Sequence, residues 1–163
     1  MAELDNDVIA EVRDVLPEEE FRVCLFSIGE DTYAIPVELL TEIIISQKIF
    51  PVPTTPPHVL GVINLRGNIV PIVDIRPALS LPQQTVAGQI AIVKQGPILL
   101  GIVVDNVSEV VGVTKSGVQS IPADFGARAG ANRSRFMKGI IQREAKVVAL
   151  LNVERIFDEI RLM

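Results

Sequence analysis

From residue 21 onward, apolar and polar positions alternate in short runs broken by glycine, proline and asparagine. FRVCLFSI (21–28) meets the turn GED and then TYAI, and PILLGIVV (97–104) is another compact apolar run. A period of two over four to eight residues predicts short strands. PVELLTEIII (36–45) opens with a proline suited to a first helical turn, which predicts a short helix over 36–42. FPVPTTPP (50–57) reads as a connection. Residues 59–65 and 69–75 flank Gly67-Asn68, a pair suited to a two-residue hairpin turn with glycine first. Pro71 lies inside the second of these runs and is expected at an edge or a non-donating position. Ahead of the strands, Val8, Ile9, Val12, Val15 and Leu16 share one helical face, and Pro17 would stop that helix. About ten residues make a marginal helix alone, so this segment is either frayed or a helix formed on a partner.

The strand pattern occurs twice. Shifted by 67, AIPVELLTEI (34–43) falls on GIVVDNVSEV (101–110), with Glu42 on Glu109 and Leu40 on Val107. Shifted by 78, GVINLRGNIVPIVDIRPAL (61–79) falls on GIIQREAKVVALLNVERIF (139–157), with Gly61 on Gly139 and Asp74 on Asn152. Much of the inserted length is expected in a solvated loop around DFGARAGANRSR (124–135). Two matching units of about 60 residues predict an internal duplication, each unit a small closed barrel of about five strands. A barrel of that size has a thin core, so the pair is expected to pack through apolar side chains. The expected organisation is an acidic leader over 1–20, a first barrel over 21–83 and a second over 84–163.

Composition narrows the function classes. The 163 residues are 48% hydrophobic, and the net charge of −5 is uneven. Residues 1–20 hold eight acids and one base, while the remainder holds twelve acids and fourteen bases. A nearly neutral body without tryptophan argues against a general nucleic-acid binder. No apolar run approaches the ~18–20 residues that span a bilayer, and the acidic start is unlike a signal peptide. The single Cys24 cannot form an internal disulfide, which fits a reducing compartment. These features predict a soluble, unsecreted protein.

Candidate chemistry is sparse. His58 and Cys24 are the only residues of their types, too few for a metal site. His58 follows Pro56-Pro57 and is expected in an exposed loop; Cys24 reads as strand filler. Asp74 and Asp105 both close apolar strands, as a catalytic dyad might, but VDIR and VDNV lack the small residue and glycine such a loop needs. Both are expected to cap turns. Arg128, Arg133, Arg135 and Lys138 form a basic stretch that reads first as a solvated flexible loop, with anion or nucleic-acid binding or contact with an acidic partner as the alternatives. Arg66, charged amid the apolar GVINLRGNIVPIVD, has Glu144 at its repeat position, so the duplication does not require it. A duplicated β protein without reactive groups reads as an interaction module.

FSIGEDTYAI, LLTEI, NLRG, VPIVDIR, GIVVDNVSEV and LLNVERIF together resemble the CheW family, the coupling proteins of bacterial chemosensory arrays, over nearly all of 21–157. The resemblance implies a mainly β fold with short helices: two SH3-like five-stranded β-barrel subdomains related by a pseudo-twofold axis. It implies a non-enzymatic adaptor without cofactor or metal. Its partners would be the regulatory domain of a CheA-type histidine kinase and the cytoplasmic tip of methyl-accepting chemoreceptors, the latter held in the groove between barrels. It would be a monomer in isolation, join rings with the kinase, and stay cytoplasmic at membrane-associated arrays without inserting in the membrane or binding nucleic acid. No fused receiver domain is expected after LLNVERIF. By position, Glu42 and Arg66 match residues tied to receptor and kinase coupling, Leu40 and Gly61 lie at or near the coupling surface, and Val107 and Val110 match groove positions. Each also has a structural reading: core packing for Leu40, Val107 and Val110, a tight backbone contact for Gly61, and a shared role with Glu109 for Glu42. A sister chemosensory pathway, such as pilus-driven motility, and a nucleic-acid-binding barrel are the alternatives.

Overall fold

The computed structural model describes residues 19–45, 47–53, 58–79, 81, 88–121 and 133–161. The leader helix therefore lies outside the described residues, as does most of the 124–135 loop. Strands β1 (Glu20–Ile28), β2 (Asp31–Pro36), β3 (Leu40–Ile45), β4 (Val59–Leu65), β5 (Asn68–Val73), β6 (Gln89–Gln95), β7 (Ile98–Val104), β8 (Asn106–Thr114), β9 (Val118–Gln119), β10 (Met137–Arg143) and β11 (Lys146–Leu151) are followed by helix α1 (Val153–Arg161). They form two sheets, ordered β8-β1-β2-β11-β10-β9 and β3-β6-β7-β5-β4. The fold is mainly β, as expected, and each sheet curls into an SH3-like barrel. The six-stranded one gains its extra strand from the two-residue β9.

The sheets do not follow the halves of the chain. One barrel takes β1, β2 and β8 to β11; the other takes β3 to β7. The units 21–83 and 84–163 are repeats of sequence, and each barrel combines the first two strands of one repeat with the remainder of the other. The crossings are short: a 3₁₀ turn at Val37–Leu39 leads from β2 to β3, and the single residue Asp105 joins β7 to β8. At both, the chain passes from one sheet directly into the other. The expected helix over 36–42 is corrected accordingly. Only that one turn is helical, because Leu40–Ile45, with three successive isoleucines, pairs with β6.

The duplication extends to the register. Cys24 opposes Ile35 as Ala91 opposes Ile102, and Leu25 opposes Glu109 as Ile92 opposes Glu42. The irregularity at Val59/Gly61 on β4 recurs at Met137/Gly139 on β10. There the chain crosses closely. A Cβ on Gly61 would lie 2.3 Å from the Phe50 carbonyl oxygen, and one on Gly139 2.9 Å from that of Gln119. Pro71 opposes Val62 on β4, just before β5 begins its pairing with β7 at Ile72, the non-donating position expected of it.

Three apolar clusters result. Val23, Leu25, Ala34, Val113, Ile141, Val148 and Leu150 fill the six-stranded barrel. Ile63, Leu65, Val70, Ile72, Ile90, Ile92 and Val103 fill the other. The largest lies between them, where Phe26, Tyr33 and Ile35 meet Val73, Val93 and Ile102 under α1. That helix buries Val153, Ile156, Phe157 and Ile160, one face at helical spacing. The Asn152 side-chain oxygen accepts the Arg155 N–H at 3.0 Å and caps its start. Two thin barrel cores are thus backed by a thicker shared one.

Candidate interaction surface

The turn between β4 and β5 is Arg66-Gly67, since Leu65 opposes Asn68 directly. Gly67-Asn68 is therefore corrected by one residue. Arg66 takes the left-handed position at φ 50°, which only two described non-glycine residues adopt; the other is Glu144 at φ 52°. Gly67 follows at φ 89°, and its N–H donates to the Asn64 side-chain oxygen at 2.8 Å. This primed turn suits the twist of a tight hairpin.

From that turn the Arg66 guanidinium reaches Glu42 on β3. Nη2 contacts Oε1, and Nη1 donates to Oε2 at 3.4 Å. The fork is bidentate, and Glu42 raises the already basic guanidinium further through its hydrogen bond and its charge. Strands β3 and β4 stand at opposite ends of their sheet, so the pair spans the seam of the barrel. Gln47 Nε2 to the Asn64 carbonyl at 3.3 Å and the bridge between Phe50 and Val62 cross the same gap. The other barrel repeats the device: Arg143 on β10 lies 3.6 Å from Glu109 on β8. The second arginine comes from the strand end, one residue before the Glu144 that matches Arg66.

The remaining candidates separate. Leu40 and Val107 occupy equivalent places, opposite Val93 and Phe26, and both are half-buried against the inter-barrel core. Val110 is 45% exposed on β8. Gly61 is buried behind Phe50, and its φ of 151° and the close crossing explain the glycine without a partner. The structure thus joins Glu42 to Arg66 and lines Leu40 and Val107 along the junction of the barrels, while Gly61 stands apart.

Beside the Arg66 corner, the sequence reading missed an apolar set: Ile45, Phe50 and Ile69 are 80%, 50% and 65% exposed. The Lys48 ammonium sits 5.1 Å from the centre of the Phe50 ring. In NIVPIV, Val70 and Ile72 face inward, so the alternation already placed Ile69 outward. Arg143, partner of Glu109, was also missed.

The other chemistry-bearing residues serve the fold. Asp74 and Asp105 do not form a dyad: both face the buried Arg76, through 3.4 Å from Asp74 Oδ1 to Nη1 and a contact from Asp105 Oδ1 to Nη2. Cys24 is buried, which pushes its thiol up. His58, expected in an exposed loop, is instead half-buried against Phe136, with Nε2 enclosed and unpartnered. Desolvation lowers its pKa; Glu159 opposes that and Arg135 adds to it. Of the basic stretch, Arg133–Phe136 forms a 3₁₀ turn and Arg135 is paired with Glu159, so this end is not a free solvated loop. Among the described residues no group of His, Cys, Asp and Glu could hold a metal ion, and no helix is long and apolar enough to cross a membrane.

The family model for the CheW-like domain matches residues 22–161. The chain is 27% identical over 147 residues to the chemotaxis protein CheW of Treponema pallidum, covering 86% of this chain and 84% of that one. It is 30% identical over 137 residues to CheW of Rhizobium meliloti, covering 81% and 84%. Protein FrzA of Myxococcus xanthus is 27% identical over 162 residues, covering 96% and 94%. Among solved structures, the scaffolding protein TtCheW of Thermoanaerobacter tengcongensis superposes with a TM-score of 0.70 at 24% identity, over 82% of this chain and 89% of that one.

Proposed function

The chain belongs to the CheW-like domain family, and on that premise we propose that Arg66 and Glu42 form the charged centre of the surface through which it couples chemoreceptors to a CheA-type histidine kinase. It is a chemotaxis coupling adaptor. The observation that carries the surface assignment is the exposed bidentate pair across the barrel seam, with Ile45, Phe50 and Ile69 exposed on the same barrel. Apolar area supplies contact, and a charge at its rim sets register and on-rate.

In this reading the regulatory domain of the kinase packs barrel to barrel on the Arg66 corner. The helical hairpin tip of the receptor lies along the junction lined by Leu40 and Val107, with Val110 at its margin. Gly61 contributes by letting Phe50 cross β4 and present its ring outward. The work is adhesion, so no catalytic group or cofactor is needed. The protein is a monomer alone, joins rings with the kinase, and is cytoplasmic but recruited to receptor arrays.

Co-sedimentation with a CheA-type kinase and receptor-tip fragments tests this. A ternary complex is expected at micromolar protein. Kinase and receptor sedimenting without this chain would contradict it.

A further inference from the structure

Beyond β5 the chain runs Asp74-Ile75-Arg76, and both charged residues are 1% exposed. The Arg76 N–H donates to Asp74 Oδ1 at 3.0 Å, and the guanidinium turns to Asp105. Asp105 is the one-residue crossing between the barrels. Its second oxygen, Oδ2, accepts the Gly29 N–H of the β1–β2 turn at 2.7 Å, and its own N–H donates to the Ser27 carbonyl at 2.8 Å. An unbroken polar chain therefore runs from the end of β5 in one barrel, through Arg76 and Asp105, to β1 and its turn in the other.

The duplication supplies an internal control. At the repeat positions of Asp74, Arg76 and Asp105 stand Asn152, Glu154 and Glu38. No arginine lies among them. They line an open cavity of about 540 Å³, together with Lys94, Gln95 and Gly96, the counterparts of Ser27, Ile28 and Gly29. Among the described residues the polar clasp is made on one side of the pseudo-twofold only. The apolar core between the barrels is non-directional, and burial alone does not select one angle. A buried, hydrogen-bonded ion network does, because each bond has a narrow geometry.

We propose that Arg76 is a positioning residue that fixes the angle between the two barrels and, through Asp105, the start of β8. Val107 follows Asp105 by two residues, and its N–H donates to Gln89 Oε1 at 2.9 Å, from β6 of the opposite barrel. The clasp thus sets where Val107 stands relative to Leu40. Its effect on coupling rests on the proposed function; its effect on inter-barrel geometry does not.

The test uses the full chain with Cys24→Ala and spin labels at Asn68→Cys and Ser116→Cys, one on each barrel, read by pulsed dipolar spectroscopy on the free protein. The triple variant Asp74→Asn, Arg76→Met, Asp105→Asn removes all three charges while keeping oxygen acceptors for the Arg76-position and Gly29 N–H groups. It is expected to keep its melting temperature within a few degrees, to widen the distance distribution at least twofold, and to bind receptor-tip fragments at least tenfold more weakly. Asp105→Asn alone is the second variant, with a smaller widening expected. A distribution as narrow as the parent's in both variants would overturn the proposal, and wide distributions with undiminished binding would overturn its functional half. A clasp-dependent distance in a parent protein that binds neither kinase nor receptor would leave the clasp standing and sink the adaptor reading.

Discussion

Arg66 sits at the solvent end of its hairpin, with its side chain 69% exposed, while its partner Glu42 is 29% exposed. An exposed ion pair holds little stability, and the role proposed for this charge lies at the surface rather than in the fold. Arg66→Ala is expected to shift the melting temperature by less than about 2 °C. The same change is expected to weaken kinase or receptor binding by about tenfold, with a reduced salt dependence of association. Arg76 is the opposite case. Arg76→Met alone would strand the buried Asp74 carboxylate, and a loss of about 3–5 kcal/mol is expected in urea unfolding. His58 contributes a pH dependence of stability. Its folded pKa lies below the ordinary 6.5 because burial disfavours the imidazolium. The unfolded chain then binds the proton more readily. The stability from neutral His58 is therefore complete above the ordinary value, falls as pH drops through 6.5 toward the lower folded value, and levels off beneath it. Unfolding titrations of the parent and His58→Gln should differ in slope within that window and run parallel on either side of it.

At the scale of elements, the tight crossings determine which residues are replaceable. Gly61→Ala would place a methyl 2.3 Å from the Phe50 carbonyl oxygen at a φ of 151°. A cost of about 2–4 kcal/mol is expected from the combined clash and strain, measurable by calorimetry. Gly139→Ala meets Val118 and Gln119 but carries no left-handed strain, so a smaller cost of about 1–3 kcal/mol is expected. If Gly61 acted only as a contact point for a partner, the substitution would leave stability unchanged and reduce binding alone. Much at this scale could be read beforehand. The alternation placed most strands, and the two shifts paired them: 78 carries β4 and β5 onto β10 and β11 residue for residue. The turn was misplaced by one residue because glycine was assigned to the first turn position, whereas Arg66 takes the left-handed conformation itself. The start of PVELLTEIII favours a helix, but pairing of Leu40–Ile45 with β6 overrides that local preference.

For the whole molecule, the repeat revealed two units but not their exchange of strands. A sequence offset relates residues to their copies and carries no record of which sheet each strand joins; the strand pairing shows that, with the crossings at Val37–Leu39 and Asp105. Glu42 and Arg66 stand out in the sequence as single residues, but the seam that makes them neighbours does not, since β3 and β4 are separated by the whole width of the sheet. Arg76 was hidden for a related reason: its partner Asp105 lies 29 residues away on the crossing between barrels. In the proposed function the two barrels present a receptor groove and a kinase-binding corner at once, with Arg66 serving the second. The direct measurement is receptor-controlled kinase activity in assemblies reconstituted with the parent chain or with Arg66→Ala, each checked for an unchanged melting curve. The parent should support full activation and the variant a small fraction of it. Equal activation by both, with both folded, would contradict the assignment of the coupling surface.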